Sequence, residues 1–135
     1  IRYQKRASGP LLDRIDLHLE VPRVKFEELS GSATGEYSAS AREKVQKARD
    51  LQLQRFQGTK IFANSEMSSE MTKKYCEVDS AGRDLLRQAV DRLHLSPRAY
   101  FRILKLSRTI ADLADSRDIT TSHLAEALQY RPKAD

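Results

Sequence analysis

Leu95-Ser96-Pro97-Arg98-Ala99-Tyr100-Phe101-Arg102-Ile103-Leu104-Lys105-Leu106-Ser107-Arg108-Thr109-Ile110-Ala111-Asp112-Leu113-Ala114 is the stretch that decides the fold. Ser96 suits an N-cap, because its hydroxyl accepts from N–H groups of the first turn. Pro97 suits the first helical position, where a missing N–H breaks nothing. At about 100° per residue, Ile103, Leu106, Ile110 and Leu113 share one broad apolar face, which Tyr100, Leu104 and Ala111 extend. Arg98, Arg102, Lys105 and Arg108 collect on the narrow arc that remains. The pattern predicts a helix from Pro97 to about Ala114, packed in a helical bundle.

Working outward, the polar run 115–118 predicts a turn. Thr120 or Thr121 caps a last helix carrying Leu124, Ala125 and Leu128, with Ile119 placed to staple onto Leu124. Upstream, Asp79 or Ser80 opens a helix to about 93 with Leu86, Val90 and Leu93 at helical spacing. A short helix near 69–76 carries Met71 and Tyr75, and 58–68 is loop-like. Ser40 with Glu43 matches a capping box for a helix over about 40–57, which places Val45, Ala48 and Leu51 on one face and Phe56 near its end. Gly58 is the expected stop. Residues 30–39 form a small-residue linker, after a short helix over 25–31. Leu17, Leu19 and Val21 alternate with His18 and Glu20, which predicts a strand over 16–21 that Pro22 ends. A lone strand leaves its backbone groups unpaired. It is therefore expected to close a sheet whose remainder lies upstream of Ile1. The fold expected is mainly α, a helical bundle with one short N-terminal strand.

Composition agrees with one ordinary folded domain. The chain has 135 residues, 39% hydrophobic and 32% charged, which argues against wholesale disorder. Five Gly and four Pro are too few for a sandwich of many tight turns. A single cysteine, Cys76, excludes an intramolecular disulfide and fits a reducing, cytoplasmic compartment. No apolar run approaches the roughly 18 residues a membrane span needs. The chain opens at Ile1 rather than at a Met, so it is expected to begin inside a larger protein. Net charge is +5, with 12 basic and 8 acidic residues in 1–60 and 12 and 11 in 61–135. That bias permits a nucleic-acid or phosphate partner, and a solvated mixed-charge surface accounts for it as well.

Several chemistries find no support. His18, His94, His123 and Cys76 lie far apart in sequence, so no metal is expected. Cys76 sits beside Tyr75 and Val78 and reads as a small semi-buried thiol. No GxxxxGK[ST] loop occurs, which removes nucleotide hydrolysis by that route from this chain alone. Arginines say more. Arg98 stands in the first turn of a helix, where the backbone dipole disfavours a cation. Either it is an ordinary exposed arginine, or a phosphate visits that helix end. Arg102, Lys105 and Arg108 continue the same stripe, solvated or facing phosphate or DNA. Arg14, in Leu11-Leu12-Asp13-Arg14-Ile15-Asp16, either pairs locally with Asp13 or Asp16 or reaches from a sheet end toward a neighbour's nucleotide.

Ser8-Gly9-Pro10-Leu11-Leu12-Asp13-Arg14-Ile15-Asp16-Leu17-His18 resembles a signature of the magnesium-chelatase-like AAA+ ATPases. Leu95-Ser96-Pro97-Arg98-Ala99-Tyr100, Arg108-Thr109-Ile110-Ala111-Asp112-Leu113 and His123-Leu124-Ala125-Glu126-Ala127-Leu128-Gln129-Tyr130-Arg131 resemble that family's C-terminal region, in the expected order. The wording is most similar to the bacterial YifB/ComM group, and 31–70 matches more loosely. The resemblance implies the end of an ATPase core over 1–23 and a helical lid over 24–135. It implies a ring, usually a hexamer, with ATP and Mg²⁺ between subunits in the full-length protein and none expected in this fragment. Arg14 resembles an arginine finger acting in trans, and Arg98 the sensor-2 arginine of the lid. The phosphate loop, the Walker B carboxylates and sensor 1 would lie upstream, so the fragment alone is expected to be inactive.

Three functions follow as expectations. The first is the lid of a ring motor on DNA, of the kind that drives branch migration during natural transformation. The second is the ATPase subunit of a true magnesium chelatase, which inserts Mg²⁺ into protoporphyrin. The third is a stand-alone helical DNA-binding module made of the last two helices. No membrane partner is expected.

Overall fold

A computed structural model describes residues 14–23 and 37–131. Five α-helices follow one another among them: α1 (Ser38–Arg55), α2 (Ser69–Tyr75), α3 (Ser80–Leu93), α4 (Pro97–Leu113) and α5 (Thr121–Gln129). A 3-10 turn, Asn64–Glu66, sits between α1 and α2. The mainly helical architecture expected from the sequence is the one observed.

Local chemistry sets most of the starts. Ser68 Oγ accepts from the Met71 N–H at 3.1 Å, and Asp79 Oδ1 accepts from the Gly82 N–H at 2.7 Å. Ser96 Oγ accepts from the Ala99 N–H at 3.2 Å. Before α5 the Thr120 N–H donates to His123 Nδ1 at 3.1 Å. Each of these satisfies a donor that a helix end would otherwise leave open. α1 begins differently. Its N-cap is Tyr37, the Ala41 N–H closes the first turn on Tyr37 O at 3.2 Å, and Ser40 and Glu43 lie inside the helix. The capping box read at Ser40 is therefore not the start.

α4 is the central helix. No residue from Ala99 to Asp112 is exposed. It packs against α5, α1, α2 and the 3-10 turn, while α3 packs on α5. Ile103, Leu104, Ile110 and Ala111 join Leu86 and Ala89 of α3, Leu124 and Ala127 of α5, and Phe56, Met67 and Ile119 in one core. Full burial of a side chain such as Leu124 contributes about 1.5–3 kcal/mol, and Leu124 is completely buried. Leu113 and Ala125, read as core-facing, are exposed, and Ala127 takes the buried place on α5.

α1 is polar on almost every side. Residues 38–47 are exposed, Ala48 and Gln52 are its buried residues, and Val45 faces solvent. It is held by its C-terminal end. A parallel bridge between Val78 and Ile119 joins the segments that lead into α3 and α5.

Residues 14–23 run along this body without regular structure. The strand expected over 16–21 has no ladder among the described residues, because a strand needs a neighbouring strand to take its N–H and C=O groups. Ile15, Leu17, Leu19 and Val21 are exposed. The expected helix over 25–31 and most of the 30–39 linker lie outside the described residues. Among the described residues no helix is long and apolar enough to cross a membrane.

Candidate functional site

The four cations read as one stripe on α4 occupy four different environments. Arg98 is exposed in the first turn and makes no ion pair among the described residues. Pro97 has no N–H, the Ala99 N–H is held by Ser96 Oγ, and the Tyr100 N–H is held by Ser96 O at 3.0 Å. Anion binding at this helix end therefore rests on the Arg98 side chain and its own N–H, not on a fan of free amides.

Arg102, one turn on, is half-buried, and its Nη1 lies 3.1 Å from Asp16 Oδ1. Lys105 Nζ donates to Ser65 O at 3.1 Å. Asp16, Leu17, Ser65, Arg102, Lys105, Leu106 and Thr109 surround a small cavity of about 240 Å³ between the 14–23 segment and α4.

Arg108 does not belong to the stripe. It is 4% exposed. Its Nε donates to Asp112 Oδ1 at 3.0 Å, its Nη1 to Arg117 O at 2.7 Å and its Nη2 to Ser116 O at 2.6 Å. The chain brings those carbonyls back with a helix-ending motif. Asp115 adopts φ 52°, the Asp115 N–H donates to Asp112 O, and the Ser116 N–H reaches Ala111 O at 2.8 Å. A helical wheel carries no information on this fold-back, and so it put Arg108 with the solvent-facing cations. Buried and held by three hydrogen bonds within the fold, Arg108 is not the solvent-facing cation that the helical wheel predicted.

Asp112 is the centre of the network that holds Arg108. Its side chain is wholly buried. It accepts from Arg55 Nη2 at 2.5 Å and Arg55 Nη1 at 2.8 Å, a two-pronged pair, and from Asn64 Nδ2 at 2.8 Å. Arg55 Nη1 also donates to Asn64 Oδ1, and Gln52 Oε1 accepts the Asn64 N–H. One carboxylate thus ties α1, the 3-10 turn, α4 and the 115–118 turn together. The sequence carried a signal for it: a lone acid in the apolar run Thr109–Leu113, four residues after an arginine.

An open cleft of about 600 Å³ lies beside the network, lined among others by Arg55, Lys74, Glu77, Asp115, Arg117 and Asp118. Its mixed charge favours no one ligand sign. Nearby Cys76 is buried, and desolvation pushes its thiol up to about 12 against the opposing pull of Arg108 and Arg55. A thiol that stays protonated is a poor nucleophile. Among the described residues no group of three or more His, Cys, Asp or Glu is placed to hold a metal ion.

Arg14 is exposed, with no ion pair among the described residues. Asp16, one of its two expected local partners, is engaged by Arg102, and Asp13 lies outside the described residues.

Two family models match the chain. Residues 35–131 match the family described as magnesium chelatase, subunit ChlI C-terminal. The chain belongs to that magnesium-chelatase family. Residues 1–29 match the model described as magnesium chelatase, subunit ChlI. Among relatives, the competence protein ComM of Haemophilus influenzae is 46% identical over 132 residues, which is 97% of this chain and 25% of ComM. The uncharacterized protein YifB of Escherichia coli is 40% identical over 132 residues, with the same coverage. The uncharacterized protein Rv2897c of Mycobacterium tuberculosis is 35% identical over 130 residues, 96% of this chain and 26% of that protein. The chain thus spans about a quarter of the length of the curated relatives it matches. The YifB/ComM resemblance read from the motifs is the one these relatives carry.

Proposed function

We propose that this chain is the lid region of a magnesium-chelatase-like ring ATPase that couples ATP binding and hydrolysis to remodelling of DNA. The observation that carries the reading is Arg98, a solvent-facing cation in the first turn of the central helix, on a side where its helix dipole gives it no support. A bound triphosphate supplies the anion that such a cation lacks. Arg98 would neutralise phosphate charge from its own subunit and pass the event into α4, which touches most of the bundle. Arg14, on the segment docked against α4, would serve the adjacent subunit as a finger on the transferring γ-phosphoryl group. Mg²⁺ would accompany the nucleotide, held by residues of the ATPase core rather than by this region. The DNA part of the reading rests on similarity to a competence protein and on the chain's basic balance.

The stand-alone DNA-binding reading gains nothing from α5. Two of the polar side chains on α5 are engaged within the fold: His123 accepts from the Thr120 N–H and Glu126 accepts from the Tyr130 hydroxyl at 3.1 Å. The chelatase reading keeps the support of the family description alone.

The test uses the full-length protein. Arg98→Ala should weaken nucleotide binding by roughly tenfold or more, the scale of a lost charge-assisted contact. Arg14→Ala should lower kcat by about 10³–10⁵ with little change in KM, as for other arginine fingers. Wild-type hydrolysis should rise with branched or single-stranded DNA. Unchanged turnover and affinity in both variants sinks the ATPase assignment. Stimulation by chelatase partners but not by DNA moves the reading to pigment chemistry.

A further inference from the structure

The 14–23 segment is attached to the helical body at two points given by the structure. Asp16 Oδ1 faces Arg102 Nη1 at 3.1 Å, and the His18 N–H donates to Tyr130 O at 2.8 Å, just past the end of α5. Arg102 Nη1 is shut off from solvent and makes no aligned hydrogen bond, so its partner there is the Asp16 charge. Arg102 lies four residues after Arg98 on α4, about 6 Å along the axis and close to the same face. Asp16 lies two residues after Arg14. One ion pair therefore links the helix that carries Arg98 to the segment that carries Arg14, the two arginines that the proposed function assigns to two different nucleotides.

We propose that Asp16 and Arg102 are positioning residues: their ion pair is a strut that carries motion of α4, set by Arg98 at one nucleotide, to the segment that presents Arg14 to the next. The inference rests on the ATPase reading above. Its physical basis is a contrast between the two tethers. The His18 tether is a backbone bond in the middle of the segment, two residues beyond Asp16, and fixes where the segment docks. The Asp16 tether is a side-chain pair, half open to water, and sits beside the residue to be aimed. With the Asp16 side chain 55% exposed, the pair adds only modestly to folding even though Arg102 Nη1 itself is covered. Removing it leaves the segment docked through His18 and frees the direction of Arg14. The strut also gives Arg102 a role other than direct phosphate or DNA contact.

The experiment measures steady-state ATP hydrolysis of the full-length protein and of its Asp16→Asn, Arg102→Gln and charge-swapped Asp16→Arg/Arg102→Asp variants, with thermal midpoints in parallel. Both single variants should lower kcat by a similar factor, roughly tenfold, as expected when a reacting group is misplaced without being lost. KM should stay within about twofold, because Arg98 is intact, and cooperativity in ATP should fall together with kcat. The thermal midpoint should move by no more than about 3 °C. The swap should recover at least half of the lost kcat. A silent Asp16→Asn beside a damaged Arg102→Gln would mean that Arg102 touches phosphate or DNA directly, and it overturns the strut. So does a swap no better than the singles, or a kcat loss matched by a large fall in thermal midpoint. Arg14→Ala separates the layers. If it removes turnover while Asp16→Asn does not, the strut alone fails. If it leaves turnover intact, the finger assignment fails and the strut with it.

Discussion

Replacing Asp112 by Asn tests whether one buried carboxylate organises the helical body. The side chain keeps its shape, but one oxygen becomes an NH₂ that faces donors, and the negative charge held between two guanidinium groups disappears. In the native protein that carboxylate takes four hydrogen bonds, from Arg55 Nη1 and Nη2, Asn64 Nδ2 and Arg108 Nε. The two arginine side chains are 16% and 5% exposed, so water cannot replace the lost anion fully. Breaking a buried pair from one side costs about 3–5 kcal/mol. Arg108 keeps its bonds to Ser116 O and Arg117 O, and Arg55 keeps Asn64 Oδ1, which places the expected loss toward the lower end. Domains of this kind hold about 5–15 kcal/mol in total, so the effect is a large share of stability. Urea unfolding of the 135-residue chain, followed by circular dichroism, is the assay. At a slope of about 1–3 kcal/mol per molar, a loss of about 3 kcal/mol should lower the midpoint by roughly 1–3 M with the slope unchanged. The triple variant Arg55→Met/Arg108→Met/Asp112→Leu, which removes every charge together, should recover much of that loss. A midpoint within about 0.3 M of the wild type for Asp112→Asn would refute the idea that the network is held by its central charge.

Two further perturbations follow from single positions. Gly82→Ala should lose about 1–2 kcal/mol in the same unfolding assay, although alanine is the better helix former, because the added Cβ would stand 3.0 Å from the fully buried Leu124 Cδ1 and 3.2 Å from the capping Asp79 Oδ1; a gain in stability would count against that crowding. Cys76 has its pKa raised from 9.0 to about 12, so the unfolded chain loses the thiol proton first, and stability should fall by up to about 1.4 kcal/mol per pH unit between 9 and 12, a slope that Cys76→Ala should lack. Equal slopes in the two proteins over that window would contradict it.

How much of this was legible in the sequence follows from the range of the forces involved. Helix starts at Ser96, Asp79 and Thr120 were readable because capping is settled within four residues, and α4 was readable because its apolar residues outnumber any alternative register. α1 was harder. Its outer half faces solvent, Val45 is exposed, and beside Ala48 its buried residue is the polar Gln52. Gln52 is buried because Asn64, twelve residues later, needs an acceptor for its N–H. No local pattern encodes that pairing. The same limit explains Arg108 and Asp112. A wheel ranks them by angle, while their burial is decided by Arg55 from another helix and by a turn that folds back after α4.

These observations give α4 two ends of opposite character. Its first turn presents Arg98 to solvent with no ion pair among the described residues, and its last turns are locked by Asp112 and Arg108 to α1, the 3-10 turn and the 115–118 turn. A helix packed along its length and cross-linked by buried charges at its last turns behaves as a lever and not as a hinge. On the ATPase reading, a force applied at Arg98 by a bound phosphate would find no soft element inside α4 to absorb it, since no residue from 99 to 112 is exposed. Displacement must then appear where the body meets its least buried attachments. Among the described residues the Asp16–Arg102 pair, which ties the extended segment to α4, is one of these. The rigidity of the Asp112 network and the looseness of the Asp16 tether are therefore parts of one arrangement: weakening the first should blunt the response of Arg14 to nucleotide even when the second is intact.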